Sequence, residues 1–256
     1  MKNLLWKAGA LLILSAALGM VFIGCGEKEE ANGKKTIEVA SDCTWPPMEM
    51  VNEDKEIVGF DIDLIKKIAE EGGFNVEINN TAWDGIFAGL GNGEYDAVIS
   101  SVTITEERKE AMDFSEPYIN AGQVLIVQQS TSGVTELSQL QGKSAGAQIG
   151  TTGAIQIKEE EGVELRTYDE LGLAVEDLAN GRIAGVVADT PIAADYVLNN
   201  DKYKDTLKIV GEPFTEEYYG IAVKKGNDEV LNLVNKGLAK VKESGYIEEL
   251  KDKWLR

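Results

Sequence analysis

Arg108 stands behind three hydroxyls, Ser100, Ser101 and Thr103, that follow the apolar run Ala97 to Ile99, and it lies in the first turn of a segment that Thr105 can cap and that Glu106 and Glu107 open. In open α/β sheets ligands sit beyond the carboxyl ends of strands. A guanidinium fork beside hydroxyls and a helix N-terminus offers a carboxylate two parallel charge-assisted hydrogen bonds as well as backbone donors. The plain alternative is a surface ion pair with Glu110 or Asp113. Asp189 closes a second apolar run, Ile183 to Ala188, and suits an ammonium group, its alternative being a helix cap ahead of Pro191. An arginine and an aspartate on facing lobes would read both charged ends of a free amino acid.

Asp42 and Trp45 follow a first strand-like run, Ile37 to Ala40, and Trp83 opens Trp83-Asp84-Gly85. Two indole faces can sandwich a flat or cationic side chain, with Asp42 supplying the opposite charge; tryptophans are more often packing residues. Gln148-Ile149-Gly150-Thr151-Thr152-Gly153 forms a turn between strand and helix whose N–H groups can cradle an anion. It lacks the Gly-Lys-Ser/Thr of a nucleotide-binding loop.

These residues need a scaffold that alternates strands and helices, which is the signature of an α/β fold. The pattern predicts a strand at Ile37 to Ala40, then a helix from Asp61 to Glu71 with Ile62, Ile65, Ile68 and Ala69 on one face and Gly72-Gly73 at its end. A short helix from Trp83 to Leu90, a strand at Ala97 to Ile99 and the helix capped by Thr105 follow. A second set has strands at Lys143 to Ala147 and Ile183 to Ala188, with helices running through Glu160 and from Asp169 to Asn180. The last third holds a strand at Tyr219 to Val223, a helix from Asn227 to Ser244 with Leu231, Val234, Leu238 and Val241 on one face, and a shorter helix ending at Trp254. Gly93 to Ser101 and Gly181 to Asp189 rhyme as helix stop, strand and polar end, which fits two similar lobes.

At the N-terminus Lys2 and Lys7 precede an apolar run from Ala8 to Ile23, shorter than the ~20 residues that span a bilayer, so residues 1–24 read as an export signal. Phe22-Ile23-Gly24-Cys25 resembles a bacterial lipobox, with Cys25 as the lipidated residue; a plain signal peptide or an uncleaved anchor helix are the alternatives. Residues 25–35 read as a charged, flexible tether. The 256 residues carry 44 acidic and 25 basic side chains, a net charge of -19, which opposes nucleic acid and anionic lipid. There is no histidine, so Ser/His/Asp triads, Cys/His dyads and most zinc sites cannot be assembled; no cofactor or metal is expected.

Trp45-Pro46-Pro47-Met48-Glu49, Gly59-Phe60-Asp61-Ile62-Asp63-Leu64, Trp83-Asp84-Gly85, Ser101-Val102-Thr103-Ile104-Thr105-Glu106-Glu107-Arg108 and Asp113-Phe114-Ser115-Glu116-Pro117-Tyr118 resemble the polar-amino-acid solute-binding proteins of ABC importers, family 3. The resemblance runs from about Thr36 to Trp254. It implies a two-lobed periplasmic-binding-protein fold of type II, each lobe a mostly parallel sheet flanked by helices: residues 36–120 with 220–256 as lobe 1, 125–213 as lobe 2, and hinges near 120–124 and 214–219. By motif, Arg108 would bind the α-carboxylate with Ser101, Thr103 and the Thr151/Thr152 turn, and Ser100 would belong to the same ligand site. Asp189 would take the α-ammonium, Trp45 and Trp83 would stack the side chain, and Asp42 would meet its far end, beside Gln148. The family carries Tyr or Phe at many of these tryptophan positions and Phe at Met48.

The function implied is an extracytoplasmic, lipid-anchored monomer that captures a free L-amino acid and hands it to an ABC permease and its ATPase. Arginine is expected before lysine, because a planar, weakly hydrated guanidinium can lie between the tryptophans and direct its N–H fork to Asp42. Glutamine is the alternative cargo. A periplasmic dehydratase on this scaffold would need a further general acid, and a ligand sensor is a third class.

Overall fold

The computed structural model describes residues 33–256. Cys25, the export signal and most of the tether lie outside them. The chain opens with β1 (Thr36–Ser41), a small antiparallel sheet of β2 (Thr44–Trp45), β3 (Glu49–Val51) and β4 (Ile57–Val58), helix α1 (Phe60–Gly72) and β5 (Asn75–Asn80). Then come α2 (Ile86–Asn92), β6 (Ala97–Val98), α3 (Glu106–Ala111), β7 (Met112–Phe114) and a first crossing strand, β8 (Ile119–Ala121). The second lobe holds β9 (Gln123–Gln128), β10 (Ser144–Gln148), α4 (Thr152–Glu159), β11 (Glu164–Tyr168), α5 (Leu171–Ala179), β12 (Gly185–Asp189), α6 (Thr190–Ala194) and β13 (Leu207–Val210). The return crossing is β14 (Glu217–Tyr219), after which β15 (Ala222–Lys224), α7 (Asp228–Glu243) and α8 (Tyr246–Trp254) complete the first lobe.

Each lobe is built on a five-stranded sheet, β5-β1-β6-β15-β7 and β11-β10-β12-β9-β13. In each, the first three strands and the fifth run one way and only the fourth runs against them, which makes the mostly parallel sheet that the family resemblance implied, with one reversed strand. The cause lies in the crossings: β15 and β9 each enter their sheet directly from the other lobe and run against the parallel trio. β6 and β12, the strands that rhyme in sequence, hold the same third place, and Gly93 and Gly181 ahead of them are both left-handed, with φ of 78° and 70°.

Amphipathic patterning explains the helices. In α1 Ile62, Ile65 and Ile68 are fully buried, each contributing about 1.5–3 kcal/mol, and Gly73 in the left-handed region ends the helix by donating to Ala69 O. α7 starts at Asn227, whose side chain accepts from Val230 N, and buries Val234, Leu238 and Val241 against α1; Leu231 is only half-buried. The helices approach so closely that a Cβ on Gly237 would stand 2.2 Å from Ile68 O. Gly237→Ala is therefore expected to cost about 2–3 kcal/mol and lower the unfolding midpoint by roughly 5–10 °C. The control, Gly91→Ala, has nothing within 4 Å of the added methyl and should leave the midpoint unchanged or raise it.

Two elements differ from the sequence reading. The expected helix from Trp83 begins only at Ile86, because Gly85, at φ 89°, breaks the backbone and leaves Trp83 in the loop. The expected strand from Tyr219 to Val223 is two strands: at Gly220 the chain leaves the crossing pair for the sheet, with Ile104 Cδ1 within 2.8 Å of where a Cβ would be.

Candidate functional site

The ends of the central strands and the loops after β1, β5 and β10 meet in the cleft between the lobes, on the side that the β8–β14 pair closes off. The cleft is nearly closed, with about 20 Å³ open to a water-sized sphere, and is lined by Asp42, Trp45, Trp83, Ser100, Ser101, Thr103, Arg108, Gln148, Thr151, Thr152 and Asp189. All eleven residues singled out from the sequence thus surround one cavity. The open space is room for about one water molecule, so the lobes are drawn together over the cleft.

Arg108 does not pair with Glu110 or Asp113; the latter binds Lys225 at 2.7 Å. Its Nη1 donates to Thr103 O at 2.8 Å and its Nη2 to Gly150 O at 3.1 Å, so the guanidinium ties the two lobes. It lies over the rings of Phe87 and Trp83, 5.0 and 5.6 Å from their centroids. Burial draws its pKa down while Asp189, Glu217 and Glu107 act against that. A guanidinium has five N–H donors, so three remain for a ligand. Phe87, which meets Trp83 edge-on at 5.0 Å, was not anticipated. Its place one helical turn beyond Trp83 was the available signal.

Asp189 does not cap α6 through its side chain. Its carboxylate instead accepts from Gln123 Nε2 and the Tyr219 hydroxyl. Desolvation pushes its pKa up to about 7, with Glu217 adding to the rise and Tyr219 and Gln123 opposing it. Asp42 is 4% exposed. It accepts from Thr44 Oγ1 at 2.8 Å and, across the cleft, from Gln148 Nε2 at 3.0 Å. Among the described residues it has no salt bridge. Trp45 and Trp83 are both wall and core, buried in separate hydrophobic clusters, and the indole Nε1 of Trp45 has no acceptor.

Glu217 was missed, although alternation along β14 buries Glu217 and Tyr219 and leaves Tyr218 out. Its Oε2 accepts from Thr103 Oγ1 at 2.9 Å, from Thr152 Oγ1 at 2.7 Å and from Gln123 Nε2 at 3.4 Å, while Thr215 holds Oε1 at 2.9 Å. Each threonine hydroxyl has one proton to give, and here Glu217 takes both. Thr151 caps α4, donating to Gln148 O and accepting from Ala154 N. The donors left at the cleft include the Arg108 N–H groups, the Ser101 hydroxyl and the Trp45 indole N–H, both without a partner among the described residues, and the backbone N–H groups at the start of α4, which a helix cannot pair internally.

Residues 37–256 match the family model for bacterial extracellular solute-binding proteins, family 3. The chain is 33% identical over 262 residues to a probable histidine-binding protein of Neisseria gonorrhoeae, covering 98% of this chain and 95% of that one. It is 34% identical over 222 residues to the L-cystine-binding protein TcyJ of Escherichia coli K12, covering 86% and 82%. Among solved structures, an ancestral arginine-binding protein bound to arginine superimposes with a TM-score of 0.82 at 40% identity, covering 87% of this chain and 99% of that one. The same kind of protein bound to glutamine gives 0.81 at 40% identity, covering 86% and 98%.

Proposed function

The chain belongs to family 3 of the bacterial extracellular solute-binding proteins, and on that premise we propose that its lobes close over one basic amino acid, arginine before lysine, for delivery to an ABC permease. Arg108 receives the α-carboxylate, together with the Ser101 hydroxyl and the N-terminus of α4. Asp189 receives the α-ammonium. Trp45 and Trp83 flank the side chain, and Asp42 meets its far end. The protein binds its ligand and does not transform it. Cys25, outside the described residues, carries the lipid that keeps it at the membrane, and it works as a monomer; no described helix is long and apolar enough to cross a bilayer.

The observation that carries the choice of a basic ligand is Asp42, a buried carboxylate held by neutral donors only. Arg108 is the sole basic residue among the eleven lining ones, against Asp42 and Asp189 there and Glu217 behind them. A zwitterion leaves that excess of negative charge in place, whereas a cationic side chain reduces it. Calorimetric titration of ligand-stripped protein with each common amino acid tests this: arginine and lysine should bind most tightly, and a neutral amino acid binding more tightly than both would refute it. Small-angle scattering should show a smaller radius of gyration on saturation, since the contacts are split between lobes joined by two short strands.

Asp189 adds a pH dependence. With its pKa near 7 in the free cleft, the carboxyl must give up a proton to receive an ammonium group. Affinity should therefore be level above pH 8 and fall as pH drops below 7, by up to tenfold per unit. Titrations at pH 6 in two buffers of different ionisation enthalpy should show a proton released on binding. Equal heats in both would mean that Asp189 is already ionised or is not the ammonium partner.

A further inference from the structure

Behind the cleft wall lie Glu49 on β3 and Asp61 in the first turn of α1, both with 0% exposure. The start of α1 is locked to the segment carrying Glu49. Phe60 N and Asp61 N donate to Pro47 O and Met48 O at 3.2 and 2.9 Å, and a Cβ on Gly59 would stand 2.2 Å from Met48 O. The two carboxyls are near enough for each to act on the other's protonation. One oxygen of each is engaged from the cleft side. Ser100 Oγ donates to Glu49 Oε1 at 2.9 Å, while Asp61 Oδ2 accepts Ser101 N–H at 2.7 Å and the Tyr118 hydroxyl at 2.8 Å. The other two oxygens, Glu49 Oε2 and Asp61 Oδ1, have no donor.

Among the described residues no cation acts on this pair. The ionisable groups that act on it are Asp42 and the Cys43 thiol on the turn after β1, the Tyr118 phenol ahead of β8, and the two carboxyls themselves. Two anions buried as neighbours without a counter-charge cannot persist, and a single shared proton would satisfy both of the acceptors left over. Asp61 holds the better anion site, with a backbone N–H, a phenol and a helix N-terminus directed at it. Glu49 has one hydroxyl.

We propose that Glu49 keeps a proton, which it donates from Oε2 to Asp61 Oδ1, and that this acid–anion pair acts as a positioning device for Ser100 and Ser101 in the cleft. The inference rests on the binding function proposed above. Burial raises Glu49 well above the usual carboxylate range, with the charge of Asp61 adding to the effect. The pair reaches the cleft along two routes. Ser100 accepts from Asp42 N at 3.0 Å, which sets the loop carrying Asp42. Ser101 sits at φ 50°, a left-handed backbone uncommon for serine, and its N–H ends on Asp61, leaving its hydroxyl without a protein partner among the cleft residues.

The test compares the full chain with Glu49→Gln, an isostere of the protonated acid, and with Glu49→Ala. Infrared spectra at pH 7.5 should show a protonated-carboxyl band in the natural protein that Glu49→Gln lacks. A group whose folded pKa lies above its unfolded value takes up a proton on folding, so stability is lost as pH rises. Between pH 5 and 7 the folding equilibrium constant of the natural protein should fall relative to that of Glu49→Gln, by up to tenfold per unit. Arginine affinity should drop about tenfold in Glu49→Ala and be largely restored in Glu49→Gln. An absent band, equal pH slopes, or a Glu49→Gln affinity no better than that of the alanine variant would overturn the proposal. If Glu49→Ala does not fold, the band and the slopes decide it. They also decide it if the natural protein binds no amino acid, in which case the binding function fails separately.

Discussion

Replacing Arg108 by alanine is expected to weaken the binding of every amino acid by at least about 100-fold, as measured by calorimetry. The α-carboxylate is common to all of them, and in a closed cleft it would lose its paired charge-assisted hydrogen bonds with no water to replace them. The anchoring of Arg108 adds to the loss. Because it spans from Thr103 O to Gly150 O, the variant also removes a tie between the lobes. Arg108→Lys should not rescue it, since one ammonium on a flexible stem cannot hold both carbonyls and two carboxylate oxygens at once. Lys109→Ala, an exposed neighbour paired with Glu106 at 2.8 Å, serves as the control and should bind normally. Near-normal affinity in Arg108→Ala would mean that the carboxylate is read elsewhere.

Asp42→Asn separates the basic ligand from its neutral rival. The amide preserves shape and can still accept from Thr44, but the charge is gone. Arginine affinity should fall by roughly 10- to 100-fold, the worth of a charge-assisted bond in a desolvated site. Glutamine affinity should change by less than about threefold, since a neutral amide gains little from the full charge. Competition between the two ligands on both proteins reads the difference directly. An unchanged arginine-to-glutamine preference would make this a general polar-amino-acid cleft. A variant that loses both ligands equally would show that Asp42 matters through the loop it holds with Ser100 and Gln148.

Much of this site was legible in the sequence because its residues follow strands, and strands announce themselves. The apolar runs ending at Ile99 and Ala188 occupy the same place in the two sheets, and periodicity located α1 and α7. What was not legible depends on partners far apart in the chain. That the hydroxyls of Thr103 and Thr152 point at Glu217 is decided across separations of 114 and 65 residues. A carboxylate in the acidic stretch Glu216-Glu217 carries no local mark of burial. Similarly, the motif residues Glu49 and Asp61 show no sign in sequence that their carboxyls are buried as neighbours. Trp83 was misplaced for a local reason, the left-handed Gly85, which pattern alone does not reveal.

The threading of the chain sets an order of events during folding. All five strands of the second sheet come from one unbroken stretch, Gln123 to Val210. The first sheet is different: β15 lies between β6 and β7, so a central strand is missing until Ala222–Lys224 has emerged, and α7 must then cover α1. The second lobe can thus assemble while the first still waits for its last 35 residues. Chains truncated before residue 220 should contain one protease-resistant core, from the second lobe, and leave α1 exposed. A growing chain thus keeps the strands of its opening half without their central partner until β15 has been made.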